Sequence, residues 1–527
     1  MDMQRWREWQ WLWYVATIWV VVFVLFWETR QSIGLTWDEP AYMRAAIAYT
    51  EWQARVLDKN GMAFQPAVMR VYWEYNHEHP PLVKVWLGWL ALLAPSSWSL
   101  IDAYRFGAMT ISATLVTLVA WSVARMTDRW GGMVAAVVLC ALPRFFFHAH
   151  VAALDVPGAL AYLLVILLFW HLRMRTEWWL GIAFGVVFGM ALATKVNAAF
   201  ALPVLGLWWV ARSRAPYLLW RMVVMTGVGL LCFVGLWPWL WLDPAQHLAE
   251  YVAWLTFAHW QIPQWWFGKS LLPPPWYFAP LMAIMVTPIA VLVAAMGGVV
   301  WGLRHPRLRD YSVLLALSGV MPLVALMLSD TVYDNDRLFM AVFPVLAMGA
   351  AVAVWGLVER VPARWRYFAV VGSTAVLIAN PVRDSVRLWP HLLSYYSESI
   401  AGLPGAQRLS LDHTYWNETY ITAMRFLDQD APQRATVWVE PWSLDVPHTY
   451  QKAGLARTDV QYVSDDGASV WGIPFAPTGV VDADYVIVTY RFAGWNGPVW
   501  ALVGGNSTPI FTIARDGVVL LEIYRMP

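Results

Sequence analysis

Cysteine is nearly missing from this 527-residue chain, and so is any surplus of charge. The two cysteines, Cys140 and Cys232, both lie within apolar runs and read as small buried hydrophobes. A disulfide framework and a thiolate zinc site are therefore excluded. Charged residues make up 13% of the sequence, and 36 Lys and Arg against 35 Asp and Glu leave a net charge of +1. A nucleic-acid partner demands Lys and Arg clustered on one face. No basic stripe exists, so that class of function falls away. Internal repeats and low-complexity tracts are also missing. No small-residue cleavage site follows Arg5, Arg7 and the first apolar run, so that run is expected to be an uncleaved anchor rather than a signal peptide.

What fills the chain is apolar surface: 59% of residues are hydrophobic and 38 are Trp, the make-up of a polytopic membrane protein rather than a soluble enzyme. The run 10–27 is nearly unbroken, long enough at 1.5 Å per residue to cross most of a hydrocarbon core about 30 Å thick. Further runs fall at 102–126, 131–148, 156–172, 179–193, 196–211, 217–241, 276–302, 311–329, 338–358 and 367–380, giving about eleven expected transmembrane helices. Alternate short connections carry Arg125 with Arg129, Arg173 with Arg175, Arg212 with Arg214, Arg304 with Arg307 and Arg309, and Arg360 with Arg364 and Arg366. Lys and Arg collect on the cytoplasmic side. The other side then receives the 28–101 loop, the 149–155 and 330–337 turns, the 242–275 loop and everything after 380.

Residues 1–385 are thus expected to form a membrane domain. Loop 28–101 should supply short amphipathic helices on the surface. The Trp-rich segment 259–266 reads equally as an interfacial anchor or as a lid. Residues 386–527 have an ordinary soluble composition, with strand-like alternation at 435–440, 460–463, 484–490, 509–514 and 518–524. The last two join at Asp516-Gly517, a hairpin signal, and 418–427 reads as a helix. A small soluble α/β domain on the outer face is expected.

Charges at membrane depth cost about 2.5–3.5 kcal/mol each, so those that persist are functional candidates. Asp38, Glu39, Glu78, His79, Lys84, Asp155, Lys195, Asp334, Asp336 and Arg337 come from five segments yet fall at the outer ends of spans. Asp38-Glu39-Pro40 serves either as a helix start or as a pair of carboxylates able to hold a cation or accept a proton. Asp155, followed by Pro157, is both a candidate helix cap and a candidate ligand. His77 and His79 have a spacing that a metal could use, without a third ligand at a telling distance. Lys195 and Arg337 suit snorkelling anchors singly; together with the carboxylates they suit a phosphate whose lipid tail stays in the bilayer.

These residues resemble the membrane-embedded, C-type glycosyltransferases that use polyprenyl-phosphate donors, in the branch of the protein O-mannosyltransferases and the lipid A aminoarabinose transferase. The resemblance rests on Asp38-Glu39, His79-Pro80-Pro81-Leu82-Val83-Lys84, Asp155, Lys195, and Arg337 with Pro344. Trp389-Pro390-His391 through Tyr396 and Tyr415-Trp416-Asn417-Glu418 match a pattern after the last span, with Asn417 where many members have Gly. It implies a C-type fold and transfer of a sugar from a polyprenyl-phosphate donor to a protein, lipid or glycan on the outer face of a prokaryotic cytoplasmic membrane. Asp38 would be the base or acceptor-orienting group, and Glu39 and Asp155 would position acceptor or metal. His79, Lys84, Lys195 and Arg337 would hold the donor phosphate. Members of the family differ in needing a divalent cation; where one is used, magnesium or manganese, it would fall here to Asp38 and Asp155. Inversion at the anomeric carbon follows from attack opposite the departing phosphate. The competing reading is a transporter or lipid flippase, whose charges should sit near the midplane of inverted repeats.

Overall fold

The computed structural model describes residues 3–58, 61–259, 262–465, 469–473 and 475–527. Every expected apolar run falls on helix, as backbone in hydrocarbon must satisfy its own hydrogen bonds. Among the described residues, six helices are long and apolar enough to cross a membrane: Trp9–Ser32, Leu100–Met126, Asp155–Leu172, Pro216–Gly235, Arg309–Met327 and Val342–Glu359. The pair Phe278–Met285 and Ile289–Arg304, bent by 113°, makes a seventh if counted as one span. The other expected runs are shorter or interrupted. Arg129–Ala141 stops before Pro143, which opens the short helix Pro143–His148. Trp179–Thr194 has 16 residues, and 196–211 divides into Val196–Phe200, Ala201–Trp208 and a wider turn at Trp209–Ser213. The chain is an integral, multi-pass membrane protein.

Close packing is set by small residues. A Cβ on Gly189 would lie 2.6 Å from the Gly229 carbonyl oxygen, so Trp179–Thr194 and Pro216–Gly235 approach to a distance that only glycine permits. The 28–101 loop folds into the helices Asp38–Leu57, Pro66–Trp73 and Leu82–Leu92. The 242–275 loop forms the helix Pro244–Ala253, capped by Asp243, and a hairpin of β1 (Gln264–Trp266) with β2 (Lys269–Leu271). Trp260 and Gln261, part of the segment read as an anchor or lid, lie outside the described residues. Trp265 packs on Phe492 and Trp500, so the hairpin rests against the C-terminal region.

All five expected C-terminal strands form: β3 (Thr436–Trp438), β4 (Gln461–Val463), β5 (Tyr485–Thr489), β6 (Phe511–Arg515) and β7 (Val518–Arg525). They order as β4-β3-β5-β7-β6, with β3 parallel to β4 and to β5 and the remaining pairs antiparallel. Asp516 and Gly517 have φ of +49° and +78°, the left-handed pair that a tight hairpin turn requires. Both sheet faces are covered. Tyr485 and Ile487 face one apolar core, and Val486 and Val488 face a smaller one. The larger core is continuous with the membrane helices, running from Phe26 and Met109 through Leu392 and Tyr395 to Val437 and Leu521.

Candidate active site

Four segments end around one point. Asp38 begins the helix Asp38–Leu57, Asp155 begins Asp155–Leu172, Lys195 follows Trp179–Thr194, and Arg337 opens the turn that leads into Val342–Glu359. Backbone N–H groups at helix starts favour negative charge, which suits both carboxylates. Asp155 caps nothing; its Oδ1 accepts from Lys195 Nζ at 2.5 Å and its Oδ2 lies 3.4 Å from Arg337 Nε. Asp38 Oδ2 accepts from Arg337 Nη2, and Asp334 Oδ2 accepts from Arg337 Nη1 at 2.9 Å. One planar guanidinium with five donors thus serves three carboxylates, a role that lysine could not fill. The indole of Trp416 lies 4.3 Å from the Arg337 guanidinium carbon, as ring face to cation.

Asp334 has a second cation. Its Oδ1 stands 3.5 Å from Arg491 Nη2, and Arg491 in turn stacks 4.4 Å over Trp37, the residue before Asp38. Asp38, Asp155 and Asp334 are therefore balanced by Lys195, Arg337 and Arg491. Asp38 and Lys195 are the least covered of this cluster, with 20% and 16% of their side chains exposed. Burial lifts the Asp38 carboxyl above the usual range while Arg337 pulls it back. A carboxylate so held is a better proton acceptor than an ordinary aspartate.

A cavity of about 300 Å³ opens beside the cluster, walled by His79, Lys195, Asn197, Trp254, His259 and Tyr333 among others. A small crevice lined by Asp155, Lys195 and Arg337 shares Lys195 and Asn197 with it. Burial and the neighbouring Lys84, Lys195 and Arg337 hold His79 neutral. Tyr251, Trp254 and His259 come from the 242–275 loop, which makes one wall of the cavity.

The expected site residues thus divide. Asp38, Asp155, Lys195 and Arg337 meet, and His79 stands on the cavity wall. Glu39 does not join them. It is fully buried, takes Arg105 Nε and Nη2 at 2.8 and 2.7 Å, and accepts from the backbone N–H groups of Thr36 and Ala152. Lys84 is also buried, and Nζ donates to Tyr49 Oη, the Asn76 and His79 carbonyls and Asn76 Oδ1, which ties down the 76–79 turn. His77 stacks on Trp239 at 4.4 Å, away from His79's ring partners Tyr42 and Trp254.

For a divalent cation the donor set fits poorly. Asp38 and Asp155 are both turned to Arg337, whose guanidinium holds the place between them. Among the described residues no three His, Cys, Asp or Glu side chains converge on a point suited to a metal.

Sequence reasoning assigned no role to Asp334, Arg491 or Trp416. Trp416 stood in a motif already noticed, and Asp334 in the polar set at the outer ends of spans. Arg491 gave no signal, because an arginine after a strand of a soluble sheet is unremarked. Arg105 and Arg144 did carry one: charges inside apolar runs demand partners. Arg144 pairs with Asp336, which also accepts from Tyr415 Oη at 3.0 Å.

No family model matches the chain, and no curated protein matches it. Among solved structures it is similar to ArnT from Cupriavidus metallidurans bound to undecaprenyl phosphate, at 14% identity over 96% of this chain and 97% of that one, with a TM-score of 0.52. The apo state of the same protein matches at 15% identity over 96% and 98%, also with a TM-score of 0.52. The C-type glycosyltransferase fold expected from the motifs is the fold observed, with its C-terminal sheet.

Proposed function

We propose that this protein is a membrane glycosyltransferase that moves a sugar from a polyprenyl-phosphate carrier to a protein, lipid or glycan acceptor, with inversion at the anomeric carbon. The observation that carries this reading is the neutral cluster of Asp38, Asp155, Lys195 and Arg337 at helix ends, beside a cavity of about 300 Å³. The fold shared with a protein crystallised with undecaprenyl phosphate supports it. So does the placing of charge at one end of the helices, rather than at a midplane as a transporter would have it.

The acceptor hydroxyl gives its proton to Asp38 as its oxygen bonds to the anomeric carbon. On the opposite face the bond from that carbon to the phosphate oxygen breaks, and the electron pair leaves with the polyprenyl phosphate. Lys195 and Arg337 compensate the phosphate charge in a water-poor setting, where such pairing is strongest. Asp155 keeps both cations aimed. No step in this sequence is routed through a metal ion. The Arg-rich connections lie at the helix ends away from the cluster, and by the rule that basic loops stay in the cytoplasm the site faces outward from a prokaryotic cytoplasmic membrane.

The test uses purified protein in proteoliposomes with undecaprenyl-phosphate-linked hexoses and pentoses and an envelope extract as acceptor, following carrier-bound sugar by mass spectrometry. Wild-type protein should discharge a carrier, and Asp38→Asn should lower the rate by about 10²–10⁴-fold, as loss of a general base does, with insertion intact. Full turnover by Asp38→Asn would remove Asp38 from the chemistry. Failure of the wild type to bind undecaprenyl phosphate or to consume any lipid-linked sugar would overturn the reading.

A further inference from the structure

Building on the transferase reading, we infer that the C-terminal sheet is a working wall of the active site, with Trp416 and Arg491 as positioning residues that hold Arg337 ready for the donor phosphate.

The topology brings them there. Strand β3 has β4 on one side and β5 on the other, so the connections leaving β3 and β5 diverge and open a crevice at their carboxyl ends, where α/β sheets commonly place functional groups. Glu440 follows β3, and Thr489 ends β5 two residues before Arg491. Glu440 Oε1 accepts from Thr489 Oγ1 at 2.9 Å. Gly494 lets Glu440 and Arg491 close over one spot: a Cβ there would be 3.1 Å from Glu440 Oε2 and 3.4 Å from Arg491 Nη1. This crevice is turned toward the membrane domain. Arg491, only 5% exposed, reaches out of it to Trp37 and Asp334.

Trp416 arrives by a different route to the same guanidinium. It is fully buried, with His148 packed 5.1 Å from its ring and the Arg337 guanidinium 4.3 Å away. Trp416 and Asn417 have φ of +66° and +62°, two consecutive left-handed residues without glycine, a conformation that needs support from the surroundings. Asn417 Nδ2 supplies it by donating to Ser443 Oγ, just beyond β3. The asparagine thus anchors the turn that presents the indole.

The electrostatic consequence concerns Asp334. With Arg491 present, Asp334 is shared between two cations. Without it, Arg337 would be the remaining charge partner of a carboxylate 1% exposed, and would be drawn from Asp38 and Asp155 and from any incoming phosphate. The Trp416 ring backs the Arg337 guanidinium carbon at 4.3 Å, while Nη2, Nε and Nη1 meet Asp38, Asp155 and Asp334.

The experiment is a titration of the full-length protein in nanodiscs with undecaprenyl phosphate, read by native mass spectrometry, alongside thermal unfolding. Trp416→Leu should raise Kd about tenfold and Trp416→Phe, which keeps a ring face, no more than about threefold. Arg491→Gln should raise it about tenfold and Arg491→Lys by less, with Tm within a few degrees of wild type. In turnover with a lipid-linked sugar, the Arg491 variants should raise KM and spare kcat. If the wild type binds undecaprenyl phosphate and all four variants bind it equally well, the inference is wrong and the transferase reading stands. If Phe and Leu at 416 lose binding alike in step with a fall in Tm, Trp416 is merely structural and the inference fails. If the wild type does not bind the lipid at all, both fall together.

Discussion

Lys195 reaches Asp155 across residue 158, and that residue is glycine. A Cβ there would stand 2.8 Å from Lys195 Cδ and 3.2 Å from its Cβ, pushing the stem aside while Nζ is held at the carboxylate. Gly158 lies in a helix, where alanine gains about 1 kcal/mol in propensity. In Gly158→Ala that gain is offset by a weakened charge-assisted bond of roughly 1.5 kcal/mol, so Tm should stay near or slightly below wild type while sugar transfer falls about tenfold; unaltered transfer would show that the Lys195 position is not critical. Arg337→Lys separates charge from shape at the same scale. A point charge cannot serve Asp38, Asp155 and Asp334 in one plane, so undecaprenyl phosphate affinity should fall although the net charge is unchanged, as a binding titration would show.

At the scale of elements, the adjacent pair Asp38-Glu39 divides because a helix turns 100° per residue. Asp38 points to Arg337, whereas Glu39 points to the helix Leu100–Met126 and ties it to the 33–39 turn through Arg105, which also donates to the Ile33 and Gly34 carbonyls. Adjacency in sequence suggested one site of two carboxylates; helical geometry turns one to Arg337 beside the cavity and makes the other a strut on Arg105. Removing one partner of a buried pair costs about 3–5 kcal/mol, so Glu39→Gln should lower Tm markedly while the turnover of the molecules that remain folded stays near wild type. A kcat loss at unchanged Tm would instead return Glu39 to the chemistry. Lys84 follows the same logic: its four hydrogen bonds shape the turn that carries His79 to the cavity.

For the whole molecule, the membrane helices and the C-terminal sheet share one apolar core, and the carboxyls of Asp412 and Glu440 are buried in the C-terminal part. Burial pushes Asp412 up to about 7, opposed by Arg491 and the backbone N–H of Phe492, and lifts Glu440 to about 6. A carboxyl raised in this way binds its proton more tightly folded than unfolded. The stability it adds is complete below the unfolded range near 4 and is lost as pH rises through about 6 for Glu440 and about 7 for Asp412. Unfolding temperature in detergent should therefore decline between pH 5 and 8, and Asp412→Asn, which still accepts from Phe492 N–H, should flatten the upper part of that decline. An unchanged profile in the variant would assign the slope to other groups.

The sequence by itself determined the membrane class, the helical placing of the apolar runs and the five C-terminal strands, because hydrophobic length, period-two alternation and turn residues are local signals; the C-type fold was implied only by the resemblance carried by Asp38-Glu39, His79 to Lys84, Asp155, Lys195 and Arg337. It also placed Asp38, Asp155, Lys195 and Arg337 at the ends of their segments, since charge is expensive anywhere else along an apolar chain. Only the tertiary structure decided which charges face one another. Glu39 and Lys84 were spent on buried partners, three carboxylates were gathered on Arg337, and Trp416 and Arg491 were brought from the far end of the chain to the same cluster. Those pairings depend on how helices turn and pack across hundreds of residues, and no spacing along the chain encodes them.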